Sequence, residues 1–233
     1  MGVVVLGRMS SRVSGVRLAL WSSFILAVGT LNFAARESSG PPDRNVLYQY
    51  STAVGGLVLY AIVLGVVLLL VRGLDQREVL ALRAPPSLLR ATGWVLAGLA
   101  AVAVVNAVLS PFLDAGKDQG LVPNGWEPQH AGAFVANFIV VAVVAPIVEE
   151  LTFRGFGVSA LSSFVGPAAV VLWVGIAFGV WHGLVVAFIA LAALGAIFAV
   201  VRLKTHSVYP SMVMHAIFNA TALIVAVVFG VGS

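Results

Sequence analysis

The sequence predicts an all-α protein, a polytopic transmembrane helical bundle of about seven spans, with eight as the alternative count. Hydrophobic residues make up 61% of the 233 residues and charged residues only 9%, whereas about a quarter of an ordinary soluble domain is charged. The apolar residues form continuous runs and do not alternate with polar ones, which favours helices over a transmembrane barrel. The chain has no cysteine, so thiol catalysis and cysteine-bound metals are excluded.

The predicted spans are the stretches that lack Asp, Glu, Lys and Arg, since a spanning helix needs about 20 apolar residues. Five stretches predict one span each, and another, of 47 residues between Arg154 and Arg202, is long enough for two. The single-span stretches are 18–35, 45–71, 91–113, 128–148 and 205–233.

These spans suggest two regions. Residues 1–129 form an N-terminal region of three spans, with an interfacial helix near 75–90 that Pro85 and Pro86 end. Residues 130–233 form a core of about four spans, which contains all the candidate functional residues.

The basic residues predict a cytoplasmic N-terminus. With that orientation, ten of the 13 Lys and Arg residues fall in inner segments and three in outer ones, in keeping with the positive-inside bias. This bias explains the net charge of +4 without nucleic-acid binding. Arg8, Arg12 and Arg17 before an apolar stretch also fit a signal peptide, but the stretch is long enough to span. Abundant Ala, Val, Gly and Arg with only two Lys favour a GC-rich bacterial genome, and therefore a bacterial inner membrane protein.

Six polar side chains fall within or directly beside predicted spans, where such groups are costly and usually functional. They are Glu149, Glu150, Arg154, His182, His215 and Asn219. Glu150 and Arg154 are four residues apart and can form an ion pair on one helix face. His215 and Asn219 have the same spacing and also share a face. Glu149 points about 100° away from Glu150 around the helix.

Glu149 and His182 are expected to lie at the same depth. The turn signal Gly166-Pro167 falls midway between them, and two antiparallel helices that meet there place both residues about 25 Å from the turn. His215 can reach a similar layer from the last span. Each residue also has a purely structural interpretation, as a helix-end cap, an interfacial histidine or an interhelical hydrogen-bond partner.

A carboxylate, two imidazoles and water form a hydrolytic set. Glu149, His182 and His215 could together hold a zinc ion and leave one position for water. Alternatively, and without a metal, Glu149 acts as general base on a water oriented by His182, while His215 and Asn219 donate to an oxyanion. The residues leave both alternatives open. The sequence lacks His-Glu-x-x-His and Gly-x-Ser-x-Gly, which excludes a zincin-like protease and a serine-elbow hydrolase. All four Asp residues lie in connecting segments, which excludes an intramembrane aspartyl dyad.

The polar motifs resemble those of the CPBP family, the CAAX proteases and bacteriocin-processing proteins, also called Abi, which include the type II CAAX prenyl endopeptidases. Residues 149–154 are similar to the family's Glu-Glu-x-x-x-Arg motif, residues 178–182 to its Phe-x-x-x-His motif and residues 215–219 to its His-x-x-x-Asn motif. The three motifs occur in order within residues 130–225, and each falls on a predicted span.

This resemblance implies an α-helical intramembrane endopeptidase, in a family commonly classed as metalloproteases. Its partners would be the lipid bilayer and a membrane protein or lipid-associated peptide as substrate. The resemblance implies that Glu149 and His182 activate water and that His215 and Asn219 bind the oxyanion. Glu150 and Arg154 would support them.

Two other classes of protein compete with this interpretation. The alternative function is a non-catalytic membrane scaffold or a bacteriocin-immunity-type protein with the same fold. A proton-coupled transporter is disfavoured, because the buried polar residues cluster in the C-terminal half alone. The sequence leaves the substrate, the metal and the oligomeric state open.

The orientation can be tested by cysteine labelling, because the native chain has no cysteine. We predict that residues 72–90 are cytoplasmic and residues 114–129 external. With a membrane-impermeant maleimide, Arg83→Cys should react only from the inner side of the membrane and Lys117→Cys only from the outer side. Labelling of both variants from the same side would contradict the count of spans between them.

Overall fold

The computed structural model describes residues 13–39, 43, 45–113 and 125–229, and the structural statements below concern these residues. Arg8, Arg12, Arg44 and Lys117, which contributed to the predicted orientation, lie outside them. Within the described ranges the chain forms helices, turns and loops without a β-strand.

Eight helices follow one another along the described chain. They are α1 (Gly15–Ser39), α2 (Tyr50–Leu70), α3 (Gln76–Val79), α4 (Leu88–Leu109), α5 (Pro128–Leu161), α6 (Pro167–Trp181), α7 (Phe188–Thr205) and α8 (Tyr209–Phe229). Six of them, all except α3 and α6, are long and apolar enough to cross a membrane. The predicted all-α polytopic bundle is confirmed, and the count of seven spans is reached when the shorter apolar helix α6 is included.

The helix α5 is longer than the uncharged run in which it begins. That run ends before Glu149, but α5 has 34 residues and continues to Leu161, as the expected helix toward Gly166-Pro167 required. It therefore carries Glu149, Glu150 and Arg154 inside the bundle, where all three are at least 96% buried. The predicted turn at Gly166-Pro167 is present between α5 and α6.

The interfacial helix expected near 75–90 is shorter than predicted. Only α3 is helical, and its first turn is capped by the Asp75 side chain, which accepts a hydrogen bond from the amide of Glu78. Ala81 has φ 51°, a conformation that does not continue a right-handed helix. The helix therefore ends well before Pro85 and Pro86.

Pro146 accounts for a π-helical stretch in α5, at Val140–Val144. A proline lacks the amide hydrogen and clashes with the carbonyl four residues earlier. In the wider register, the Ala145 amide donates to the carbonyl of Val140, five residues back. The Val141 carbonyl would then pair with the amide hydrogen that Pro146 lacks, and it instead accepts from Nδ2 of Asn219 at 2.8 Å. This bond ties α5 to α8 beside the two glutamates.

Close helix contacts depend on glycine, as is usual for helices in membranes. A Cβ atom on Gly175 of α6 would lie 2.6 Å from the carbonyl oxygen of Ala192 on α7, and one on Gly195 would lie 2.7 Å from Cβ of Phe178. On α1, a Cβ at Gly29 would overlap the carbonyl oxygen of Val180 on α6. These glycines set the positions of α1 and α7 against α6.

The contact between α1 and α6 predicts a sharp contrast between two glycine substitutions. Gly29→Ala should lower the free energy of unfolding by about 1–3 kcal/mol, because the backbone of α6 must move away. Gly55→Ala on α2 is the matched control, since a Cβ there meets nothing within 4 Å and alanine favours the helix. The measurement is unfolding of the purified variants in detergent. Equal stability of the two variants would contradict the close packing of α1 on α6.

Candidate active site

The four residues expected to be catalytic line one cavity of about 530 Å³. Glu149 comes from α5, His182 from the end of α6, and His215 and Asn219 from α8. Most of the remaining wall is apolar and comes from side chains of α2, α4, α5, α6, α7 and α8. The convergence expected from the sequence is therefore present, in an otherwise largely apolar chamber.

The cavity lies inside the bundle, level with the middle of α2. Tyr60 is the central residue of that 21-residue helix, and it contacts Glu149 directly. α5 continues past Glu149 for another 12 residues, about 18 Å. α6 has only 15 residues, so its end at His182 and the turn that follows lie at the level of the cavity.

Glu150 and Arg154 form the buried ion pair that their spacing predicts. Arg154 Nη1 donates to Glu150 Oε1 at 2.9 Å, and Nη2 donates to the carbonyl of Gly195 on α7 at 2.9 Å. Both side chains are 0% exposed. The guanidinium also lies 4.5 Å from the ring centre of Phe178 and 5.1 Å from that of Phe198. Aromatic faces attract such a cation and exclude water from it.

His215 lies between the two glutamates. Its Nδ1 is 3.1 Å from Glu150 Oε1, and because that carboxylate accepts from Arg154, Nδ1 is the nitrogen that carries the proton. Its Nε2 is 3.9 Å from Glu149 Oε2, which is too long for a direct hydrogen bond. A single water about 2.8 Å from each atom fits this separation. The ion pair of Glu150 and Arg154 thus fixes the orientation of the His215 imidazole, which faces Glu149.

Glu149 is held by a residue that the sequence motifs did not reveal. The Tyr60 hydroxyl donates to Glu149 Oε1 at 2.7 Å, while Oε2 is the oxygen nearer His215. The carboxylate is 4% exposed, and its two oxygens therefore have different neighbours. A tyrosine in the middle of an apolar span was the available signal, because a buried phenol usually has a hydrogen-bond partner.

His182 ends α6 with its ring orientation fixed. Its Nδ1 lies 2.7 Å from the carbonyl of Phe178, and a carbonyl only accepts, so Nδ1 carries the proton and Nε2 has the lone pair in the neutral ring. The Phe178 ring lies between the two histidines, with its centre 4.8 Å from that of His182 and 5.9 Å from that of His215. Asn32 of α1 donates to the Trp181 carbonyl at 2.8 Å, which fixes the same helix end.

Asn219 uses one amide hydrogen to bind the Val141 carbonyl. The amide group carries a second hydrogen, and the side chain borders the cavity. It therefore links the π-helical stretch of α5 to the chamber that contains Glu149.

The sequence left open a zinc ion held by Glu149, His182 and His215. Among the residues that the structure describes, no three His, Asp or Glu side chains are placed to hold a metal ion. His182 directs Nδ1 to the Phe178 carbonyl, and His215 directs Nδ1 to Glu150. The buried Arg154 cation already neutralises Glu150. Each histidine ring therefore leaves its Nε2 available, which is also the arrangement of metal-ligating histidines.

A comparison with models of protein families supports the family resemblance that the motifs indicated. Residues 131–221 match the family model described as type II CAAX prenyl endopeptidase Rce1-like. This stretch extends from the beginning of α5 into α8 and contains all six polar residues singled out from the sequence, which confirms the family resemblance. No curated protein and no solved structure gives a significant match to the chain.

The buried ion pair predicts a strong effect of Arg154 on stability. Arg154→Ala leaves Glu150 ionised without its partner in the bundle, and should cost about 3–5 kcal/mol of unfolding free energy. Arg77→Ala, which removes an exposed arginine near α3, is the control and should change stability by less than about 0.5 kcal/mol. Both variants are compared for accumulation in membranes and for unfolding in detergent. Normal stability of Arg154→Ala would show that the pair is dispensable.

Proposed function

We propose that this chain, which carries an Rce1-like type II CAAX prenyl endopeptidase domain over residues 131–221, is an intramembrane endopeptidase that cuts a membrane-associated peptide or protein. The family supports a CAAX-type intramembrane protease at the general level. The observation that carries the proposal is the buried pair of Glu149 Oε2 and His215 Nε2, 3.9 Å apart, at the wall of an apolar chamber in a bundle of membrane-spanning helices.

In this proposal Glu149 is the general base. Tyr60 engages Oε1, which leaves Oε2 to take a proton from a water bound between Glu149 and His215. The oxygen of that water bonds to the carbonyl carbon of the scissile peptide, and the peptide carbonyl becomes an oxyanion. When the carbon–nitrogen bond breaks, Glu149 returns the proton to the leaving amine. The net reaction consumes one water and leaves the enzyme unchanged.

The two histidines have different tasks in this mechanism. Neutral His182 can orient the water, because its Nε2 lone pair accepts the hydrogen that Glu149 does not take. His215 donates from Nε2 to the oxyanion, and for this step it must carry a proton on both nitrogens. The Glu150 carboxylate accepts from Nδ1 in either state. Asn219 donates its second amide hydrogen to the same oxyanion.

We favour the metal-free alternative of the two that the sequence left open. Its support is that no three His, Asp or Glu side chains among the described residues are placed to hold a metal ion, and that Tyr60 engages one oxygen of Glu149. Without a metal, the oxyanion is stabilised by two hydrogen-bond donors from α8, His215 and Asn219, which lie one helical turn apart.

The apolar walls of the chamber suit a substrate segment that enters from the lipid bilayer. A scaffold or immunity-type protein is the second candidate, but it has no need for a carboxylate and two oriented imidazoles around a cavity. We place the protease in a bacterial inner membrane with its N-terminus in the cytoplasm, on the basis of the residue composition and the distribution of basic residues.

The proposal predicts that Glu149→Gln abolishes cleavage and leaves the fold intact. Glutamine preserves the shape and can still bond to Tyr60, but it cannot take a proton from water. Tyr60→Phe keeps the base and loses the hydroxyl that positions it, so we expect kcat to fall by about 10-fold to 100-fold, the cost of one misplaced group. The measurement is the appearance of new peptide termini in the membrane proteome of cells that express each form in place of the wild type.

Glu127→Gln is the matched control, because Glu127 lies just before α5 and pairs with the partly exposed His130, outside the cavity. It should cleave like the wild type. The protein level of each variant is measured in parallel, so that misfolding is distinguished from lost chemistry. Identical termini in wild-type cells and in cells that lack the protein would overturn the protease proposal in favour of the scaffold.

A further inference from the structure

A second group of ionisable residues lies at the end of the bundle opposite the cavity. Arg202 is in the last turn of α7, and Arg83 lies between α3 and α4. Arg202 is only 5% exposed, and the Arg83 guanidinium donates to the carbonyl of His206, four residues after Arg202. This arginine pair comprises two like charges, one of them almost completely buried.

The described residues do not compensate the charge of Arg202. Its Nε is buried without a hydrogen-bond partner, and no carboxylate among these residues lies within ion-pair distance of it. Arg83 donates to the carbonyl of His206 and likewise has no acidic partner there. Arg154 also has a buried Nε without a partner, but its guanidinium has a carboxylate, a carbonyl and aromatic rings around it. A buried charge without a partner is strongly destabilising, so the arginine pair suits an anion that the described residues do not supply.

The surroundings of the arginine pair are those of a membrane–water interface. Lys204 lies 5.6 Å over the ring of Trp94, and lysine and tryptophan are typical of the headgroup level. At the start of α4, Leu88 is 74% exposed and Leu89 is 84% exposed. Exposed leucines next to a cationic site suit acyl chains and would be costly in water.

We propose that Arg202 and Arg83 bind the phosphate of an anionic phospholipid. The phosphate oxygens accept charge-assisted hydrogen bonds from the two guanidinium groups, and the acyl chains lie along the exposed leucines at the start of α4. The lipid thus supplies the counter-charge that the protein lacks at this end of α7. A free phosphate ion shares the chemistry of the headgroup, but it makes no use of the exposed leucines. This site is independent of the proposed protease activity.

The test uses the purified full-length protein in a neutral detergent. Phosphatidylglycerol, phosphatidylcholine and inorganic phosphate are added at equal phosphate concentration, and the midpoint of thermal unfolding is measured. We expect phosphatidylglycerol to raise the midpoint by about 2–4 °C or more and to remain bound in native mass spectrometry. Phosphatidylcholine and inorganic phosphate should have little effect. An equal shift with inorganic phosphate would replace the lipid by a soluble anion and overturn the proposal.

Arg202→Met and Arg90→Met make the matched comparison, because each removes one arginine from the same end of the bundle. Methionine fills the apolar space of Arg202 without its unpaired charge, so Arg202→Met should fold but lose both the shift and the bound lipid. Arg90 is exposed in the first turn of α4, and its variant should keep both. Arg83→Met provides the same test if Arg202→Met does not accumulate. A full shift in both Arg202→Met and Arg83→Met, or an equal loss in Arg90→Met, would overturn the site.

Discussion

The ion pair of Glu150 and Arg154 is the interaction on which the rest of the site depends. A guanidinium and a carboxylate with no exposed surface are tolerated only when each charge has partners. Arg154 finds them in Glu150, in the Gly195 carbonyl and in the rings of Phe178 and Phe198. These contacts join α5 to α6 and α7. They also fix Glu150 as the acceptor for His215 Nδ1. The ion pair therefore determines that Nε2 of His215 faces the chamber.

The π-helical segments of α5 also help to position the site. Pro146 forces a wider register at Val140–Val144, and the freed Val141 carbonyl is bound by Asn219. A second π-helical segment, Leu151–Gly157, follows the glutamates, and there the carbonyl of Thr152 accepts from the indole of Trp21 on α1. Such segments are rare and are often found at functional sites. In this chain, carbonyl groups of the two segments accept hydrogen bonds from side chains of α1 and α8. These bonds hold α5, which carries Glu149, from two sides.

The unequal lengths of neighbouring helices produce the chamber. A bundle of equal spans would put the turn after α6 at the surface, whereas α6 has only 15 residues and ends beside the middle of α2. The space beyond that turn is enclosed by α1, α2, α4, α5, α7 and α8. The glycine contacts between α1, α6 and α7 hold the short helix in place. The proposed reaction with water requires such a cavity with polar groups in its wall, since neither lipid nor a tightly packed core would admit water.

The sequence by itself determined the fold class, the number of apolar segments and most of the polar set. Composition and run length suffice for these features, because a helix in lipid must satisfy its own backbone. The i,i+4 pairing of Glu150 with Arg154 and the level of Glu149 with His182 also follow from helix geometry alone. Only the tertiary structure decided the contact of Tyr60 with Glu149, the hydrogen bond of Asn219 to the Val141 carbonyl and the unpaired charge of Arg202. Each of these depends on which side chains from distant segments meet, and local spacing contains no information about such contacts.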